Sequence, residues 1–173
     1  MDQLISIKKD IEFLKGIKII IDEFLRFEKE YQKQVEDRHK NISIPHFDQA
    51  KSVPVNELYV SPNFYRDSQK DKDDKEIFDV NGFYHIINRA VLLGYPGGGK
   101  STLSQKICYD LTHSYSKRIF GGREITPLLV VLRDYGVQKR ENNFSILDFI
   151  ESFSNTKYQS KPPKGALEYM LRN

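Results

Sequence analysis

A single cysteine, no tryptophan and no long uncharged run set the first limits on this chain of 173 residues. Cys108, being alone, cannot close an internal disulfide, which fits a reducing compartment. The opening "MDQLISIKKDIEF" does not read as a signal peptide, because Asp10 and Glu12 interrupt any apolar core. The most apolar run, "GIKIIIDEFLRF", carries Lys18, Asp22, Glu23 and Arg26, whereas a membrane span needs about 20 nearly uncharged residues. An excess of one charge is missing too. The net charge is +3 and the pI about 8.8, with acids and bases interleaved almost everywhere. A nucleic-acid binder gathers its basic residues on one face. His39, His46, His85 and His113 are scattered without metal-ligand spacing. These absences lead us to expect a soluble, cytoplasmic protein with no membrane and no direct nucleic-acid partner.

What is present is enough for a core: 39% hydrophobic residues, including ten Tyr and eleven Phe. The length suits one domain with an extra helical segment. Residues 1–45 are expected to form that N-terminal helical segment. Leu4, Ile7, Ile11 and Leu14 start a three-four spacing that Ile17, Ile21, Phe24, Phe27 and Tyr31 continue over residues 2–38. Gly16 marks an expected bend, so this is one long helix or a broken pair. Such a helix packs on its own domain or a neighbouring subunit; a coiled-coil connector is the other reading. Residues 46–173 are expected to form an α/β domain. Within it, Leu58 to Val60 reads as a short β-prone run, and "RDSQKDKDDKE" (66–76) as a mobile charged loop with too little apolar surface to order.

From Phe78 onward the pattern changes. Apolar strands are expected over residues 90–93 and 128–132, with a helix at 100–116 and a glycine turn at 121–122. A charged loop "GVQKRENN" follows, then helices in "FSILDFIESF" and "GALEYMLRN". Buried strands alternating with helices argue for a parallel sheet covered on both faces.

Between the first strand and its helix lies "GYPGGGKST". Gly94, Gly99, Lys100 and Ser101 satisfy G-x-x-x-x-G-K-[ST], the loop that cradles phosphates. Gly94, Gly97, Gly98 and Gly99 account for four of the ten glycines, as a loop wrapped closely round a phosphate requires. Backbone N–H groups of residues 97–101 and the positive end of the next helix are expected to hold phosphate oxygens. Lys100 should reach the β- and γ-phosphates, the Ser101 hydroxyl should ligate Mg²⁺, and Thr102 should assist at the α-phosphate. Hydrolysis needs more: a strand-end acid on the metal and a group that orients water. Asp134 follows an apolar run, but Arg133 would set a competing cation beside any metal there, and no second acid follows directly. No catalytic residue is assigned.

With "GYPGGGKST", "TPLLVVLRDY" and the upstream "NELYVSPNFY" in this order, residues 50–173 resemble the NACHT family of signalling NTPases, among the signal-transduction ATPases with numerous domains. The loop is similar to that family's G-x-P-G-x-G-K-S-T form, which adds Pro96 to the matched positions. The resemblance implies a P-loop parallel sheet with flanking helices and an ATP-gated switch that binds ATP or ADP with Mg²⁺. It also implies self-association in the full-length protein and a role in antiphage defence or innate-immunity-like signalling. It assigns Gly94, Gly97, Gly99, Lys100, Ser101 and Thr102 to phosphate and Mg²⁺. Arg133 matches the strand-end arginine, structural or γ-phosphate-sensing, and the resemblance sets Tyr59 and Val60 near the adenine, with simple packing on the core the preferred reading for Tyr59. The family's metal-binding strand has no counterpart before Asn173, so the sheet is expected to be incomplete and the chain an N-terminal fragment, not hydrolytic alone. Two alternatives stand beside this: a small P-loop kinase or GTPase, although no N-K-x-D motif is present, and a helix-mediated interaction module with a vestigial site.

Overall fold

The computed structural model describes residues 2–43, 52–66, 77–86, 89–113 and 125–172. The chain is mixed α/β and divides into two compact units. Unit 1 comprises Met1–Gln34 with Val130–Asn173, and unit 2 is Val35–Leu129.

Helix α1, Asp2–His39, is continuous over 38 residues. Of the two readings, one long helix or a broken pair, the first holds, and Gly16 brings no break because one glycine costs a helix only about 1 kcal/mol relative to alanine. In unit 1, α1 is joined by α5 (Leu132–Asn142), α6 (Ile146–Lys157) and α7 (Ala166–Arg172). Aromatic rings make this core. Phe27 meets Tyr31 at 5.8 Å, and Tyr31 meets Tyr158 edge-on at 5.2 Å. Phe153 then links Tyr158 at 5.7 Å to Phe149 at 5.6 Å, and Tyr135 closes on Phe149 at 5.6 Å. Such tilted and edge contacts follow the ring quadrupoles.

Helix α5 corrects the charged-loop expectation for "GVQKRENN". Residues 136–142 are helical despite Gly136, and Asn143 ends the helix in the left-handed region at φ 54°. Tertiary packing decides here, because the ring of Tyr135 on Phe149 fixes one face of a segment whose own propensity is weak. The strand expected at 128–132 also changes. Residues 125–131 join no ladder among the described residues, and Leu132 already belongs to α5.

Unit 2 contains two short antiparallel pairs. Strand β1 (Asn41–Ser43) pairs with β2 (Ser52–Pro54) in the register Ile42↔Val53. A one-turn helix α2, Val55–Leu58, follows, so only residues beyond Leu58 depart from helix in the expected β-prone run. Strand β3 (Phe64–Tyr65) pairs with β4 (Ile77–Phe78) through Phe64↔Phe78. Helix α3, Val80–Ile86, starts on Asp79, whose carboxylate accepts from Gly82 N–H at 2.8 Å. Helix α4, Lys100–Thr112, carries Leu103 and Ile107 into an apolar cluster with Phe64, Val80, Phe83 and Tyr84. Phe64 stacks on Phe83 at 4.8 Å at its centre. Residues 67–76 of the charged loop expected at 66–76, the tail of the 100–116 helix beyond His113 and the turn at 121–122 lie outside the described residues.

Candidate functional site

The stretch before α4 is neither helix nor paired strand, and its side chains alternate. Leu92 packs against the apolar cluster, while Val91 and Leu93 are 87% and 82% exposed. One seated leucine therefore ties the loop's entry to the same core that holds its exit helix.

The loop itself is built by glycine. Gly97 and Gly99 have φ of 78° and 79°, a left-handed conformation that a side chain disfavours. Gly98 is needed for proximity instead: a Cβ there would lie 3.0 Å from the Tyr95 carbonyl oxygen. Gly98 N–H donates to that oxygen at 3.1 Å, so this amide is engaged within the loop. Nothing lies within 4 Å of a Cβ built at Gly97 or Gly99, so one side of the loop is open.

Gly99 caps α4 without any side-chain hydrogen bond, and Leu103 N–H closes on Gly99 O at 2.8 Å. The amides of residues 100–102 precede that bond and belong to the unfilled first turn of a helix. No acid occupies this turn, and it begins with a cation, Lys100. A cation at the positive end of the helix dipole is unfavourable by roughly 0.3–1 kcal/mol. Lys100 Nζ instead turns back across the loop and donates to Gly94 O at 2.7 Å and Tyr95 O at 2.8 Å. Amide donors, a helix dipole and an ammonium thus lie together at the start of α4 beside an open side of the loop, which suits a polyanion. Ser101 is exposed and Thr102 half-buried in the same first turn. These residues, with glycine torsions no side chain would readily share, fit a nucleotide's phosphates, and the free Ser101 side chain fits a hard cation such as Mg²⁺.

The structure places Gly94, Pro96, Gly97, Gly98 and Gly99 in this loop and Lys100, Ser101 and Thr102 in the first turn of α4 that follows it, one continuous stretch of unit 2. Arg133 belongs to unit 1, in the first turn of α5, with its side chain 88% exposed and its Nε 3.5 Å from Asp134 Oδ1. Tyr59 packs its ring on the apolar cluster, whereas Val60 is 86% exposed.

No family model, curated protein or solved structure matches the chain. Among the described residues no helix is long and apolar enough to cross a membrane, and no group of three or more His, Cys, Asp or Glu is placed to hold a metal.

One polar cluster escaped the sequence reading. Asp110, buried on α4, accepts from the Tyr84 hydroxyl at 2.8 Å and from Lys106 Nζ at 2.6 Å. Burial, then the Asp110 charge, pushes the Tyr84 phenol far above its ordinary range. The Tyr59 hydroxyl is buried without a hydrogen-bond partner, and Lys106 Nζ sits 5.6 Å above the Tyr59 ring. The available signal was Asp110 seven residues after Leu103, on the buried face, with Lys106 one turn before it. Cys108 on the same helix is a buried thiol pushed up to about 12, which leaves it unreactive at neutral pH.

Proposed function

We propose that residues 94–102 bind the phosphates of a magnesium nucleotide, ATP or ADP, and that the chain is the nucleotide-holding part of a NACHT-type signalling switch. The observation that carries this reading is the start of α4, where two left-handed glycines and an uncapped first turn surround the Lys100 ammonium. In this reading the ammonium leaves the Gly94 and Tyr95 carbonyls for the β- and γ-phosphates. First-turn amides take phosphate oxygens, and Ser101 offers its hydroxyl to Mg²⁺. Bound Mg²⁺ would neutralise phosphate charge.

The finer fold follows the same proposal: residues 90–93 and 128–131, the strands expected from the sequence short of the helical Leu132, belong to a parallel P-loop sheet. The period-two alternation of seated Leu92 between exposed Val91 and Leu93 supports the first of these. Cytoplasmic location, self-association, a defence role and a γ-phosphate-sensing role for Arg133 rest on the resemblance of the motifs. Turnover is not assigned to these residues.

Calorimetric titration of the 173-residue chain with MgATP, beside Lys100→Ala, tests the reading. Loss of one charge-assisted phosphate contact is expected to weaken binding about 10- to 100-fold. Equal affinity of the two proteins contradicts it.

A further inference from the structure

We infer that the Tyr84–Asp110–Lys106 cluster is a positioning element that sets the aim of the phosphate loop through the rigid body of α4; this rests on the nucleotide reading above. Helix α4 is held to the rest of unit 2 by apolar packing and by polar contacts, which include the His113 Nδ1–Glu36 Oε1 pair at 2.8 Å just past its C-terminal end. Leu103 and Ile107 pack into the apolar cluster, which is non-directional and tolerates rotation and sliding. The Tyr84 hydroxyl bond to Asp110 is directional, and it joins α3 to the far end of α4. Asp110 lies ten residues after Lys100, about 15 Å along the helix, so a tilt of about 4° at this anchor moves the loop by roughly 1 Å. Displacements of that size are costly where a charged ligand must meet several donors at once.

The cluster is built to hold one geometry. Asp110 is shared by Tyr84 and Lys106, and the side chains of Lys106 and Asp110 are only 15% and 11% exposed. Lys106 is further fixed between the rings of Tyr59 and Tyr109, at 5.6 and 5.9 Å. Breaking a buried pair of this kind strands a charge, whereas a hydrophobic replacement of the whole would cost little. An ionic cluster at this position is therefore better explained by the orientation it imposes than by stability. Thr112 supplies a control, because its hydroxyl contacts the Cys108 and Tyr109 carbonyls of α4 itself and joins the helix to no other element.

The test uses the full chain as Tyr84→Phe, Asp110→Asn and Thr112→Val. Two quantities are read at a temperature where each variant is folded: the amide resonances of residues 97–101 without nucleotide, and the MgATP dissociation constant with its stoichiometry. Tyr84→Phe and Asp110→Asn are expected to shift the loop amides and weaken MgATP binding about 2- to 30-fold at unchanged stoichiometry. Thr112→Val is expected to do neither. Unmoved loop amides in Tyr84→Phe overturn the positioning role whatever the nucleotide does. Moved amides with unchanged affinity overturn it as well, and a fall in stoichiometry alone marks a merely structural residue. If the unmutated chain binds no MgATP, the nucleotide reading fails, and the loop amides alone still decide whether the cluster aims the loop.

Discussion

Helices α4 and α6 are 13 and 12 residues long, yet the backbone donors at their first turns meet different fates. At α6 the turn is closed by its own side chains. Ser145 Oγ accepts from Asp148 N–H at 3.2 Å, and the Asp148 carboxylate takes the Ser145 N–H at 2.9 Å. The Ser145 hydroxyl, then its backbone N–H, hold the Asp148 carboxyl below the ordinary carboxylate range. At α4 the cap is a left-handed glycine with no side chain, followed by a lysine. Helix α5 also lacks a side-chain cap, but Asp134 in its first turn offsets the dipole. A helix start optimised for stability looks like α6. The start of α4 forgoes that local stabilisation and leaves its first turn without a side-chain cap or an acid.

The comparison is broken most severely by giving α4 the charge that α6 has. Gly99→Asp would place a carboxylate where the phosphates are proposed to sit and force a side chain into φ near 79°. Like-charge repulsion of several kcal/mol is expected to lower MgATP affinity roughly 100-fold or more, measured by calorimetry. Near-normal binding by this variant would show that the loop is not where phosphate binds.

The reciprocal change removes the cap from α6. Ser145→Ala is expected to cost about 1 kcal/mol of stability in urea denaturation, as loss of an N-cap does. MgATP affinity should stay at the unmutated value. A weakened affinity would mean that the two helix starts are not independent, contrary to their different roles.

The smallest effect is in acid. Because the Asp148 carboxyl is depressed in the folded chain, its capping contribution is present at neutral pH and is lost as pH falls through the folded value. The stability gap between Ser145→Ala and the unmutated chain should therefore narrow below about pH 4. Helix α4 has no acid in its first turn and gives no such dependence there. A gap that stays constant into strong acid would contradict the capping box as its source.

These two starts were not equally legible in the sequence. The α4 loop could be read because its needs are strict: Gly97 and Gly99 where φ is positive, Gly98 where a carbonyl crowds, Lys100 and Ser101 at the helix start. The amphipathic spacing that marked α6 was dependable, since Phe149 and Ile150 are buried, whereas in α1 it held at Phe27 and Tyr31 but not at Ile21, which is 51% exposed. Elsewhere tertiary contacts decided what local pattern could not. Helix α5 looked like a loop because Gly136 and the charged run after it hide a single anchoring ring, Tyr135. The short pairs β1–β2 and β3–β4 contain too few residues to show a period. Asp110 was passed over because an acid on an apolar face becomes meaningful only when Tyr84, 26 residues away in the chain, is seen to reach it.

The central claim is that the first turn of α4, unlike that of α6, is a site for nucleotide phosphates. It is tested most directly by following backbone amide resonances of the full chain as MgATP is added. The account expects the amides of residues 97–102 to shift saturably while those of residues 145–148 stay fixed, with the same loop shifts produced by magnesium pyrophosphate. Loop amides that do not move at millimolar MgATP, or that move no more than those of the capped helix, would contradict it.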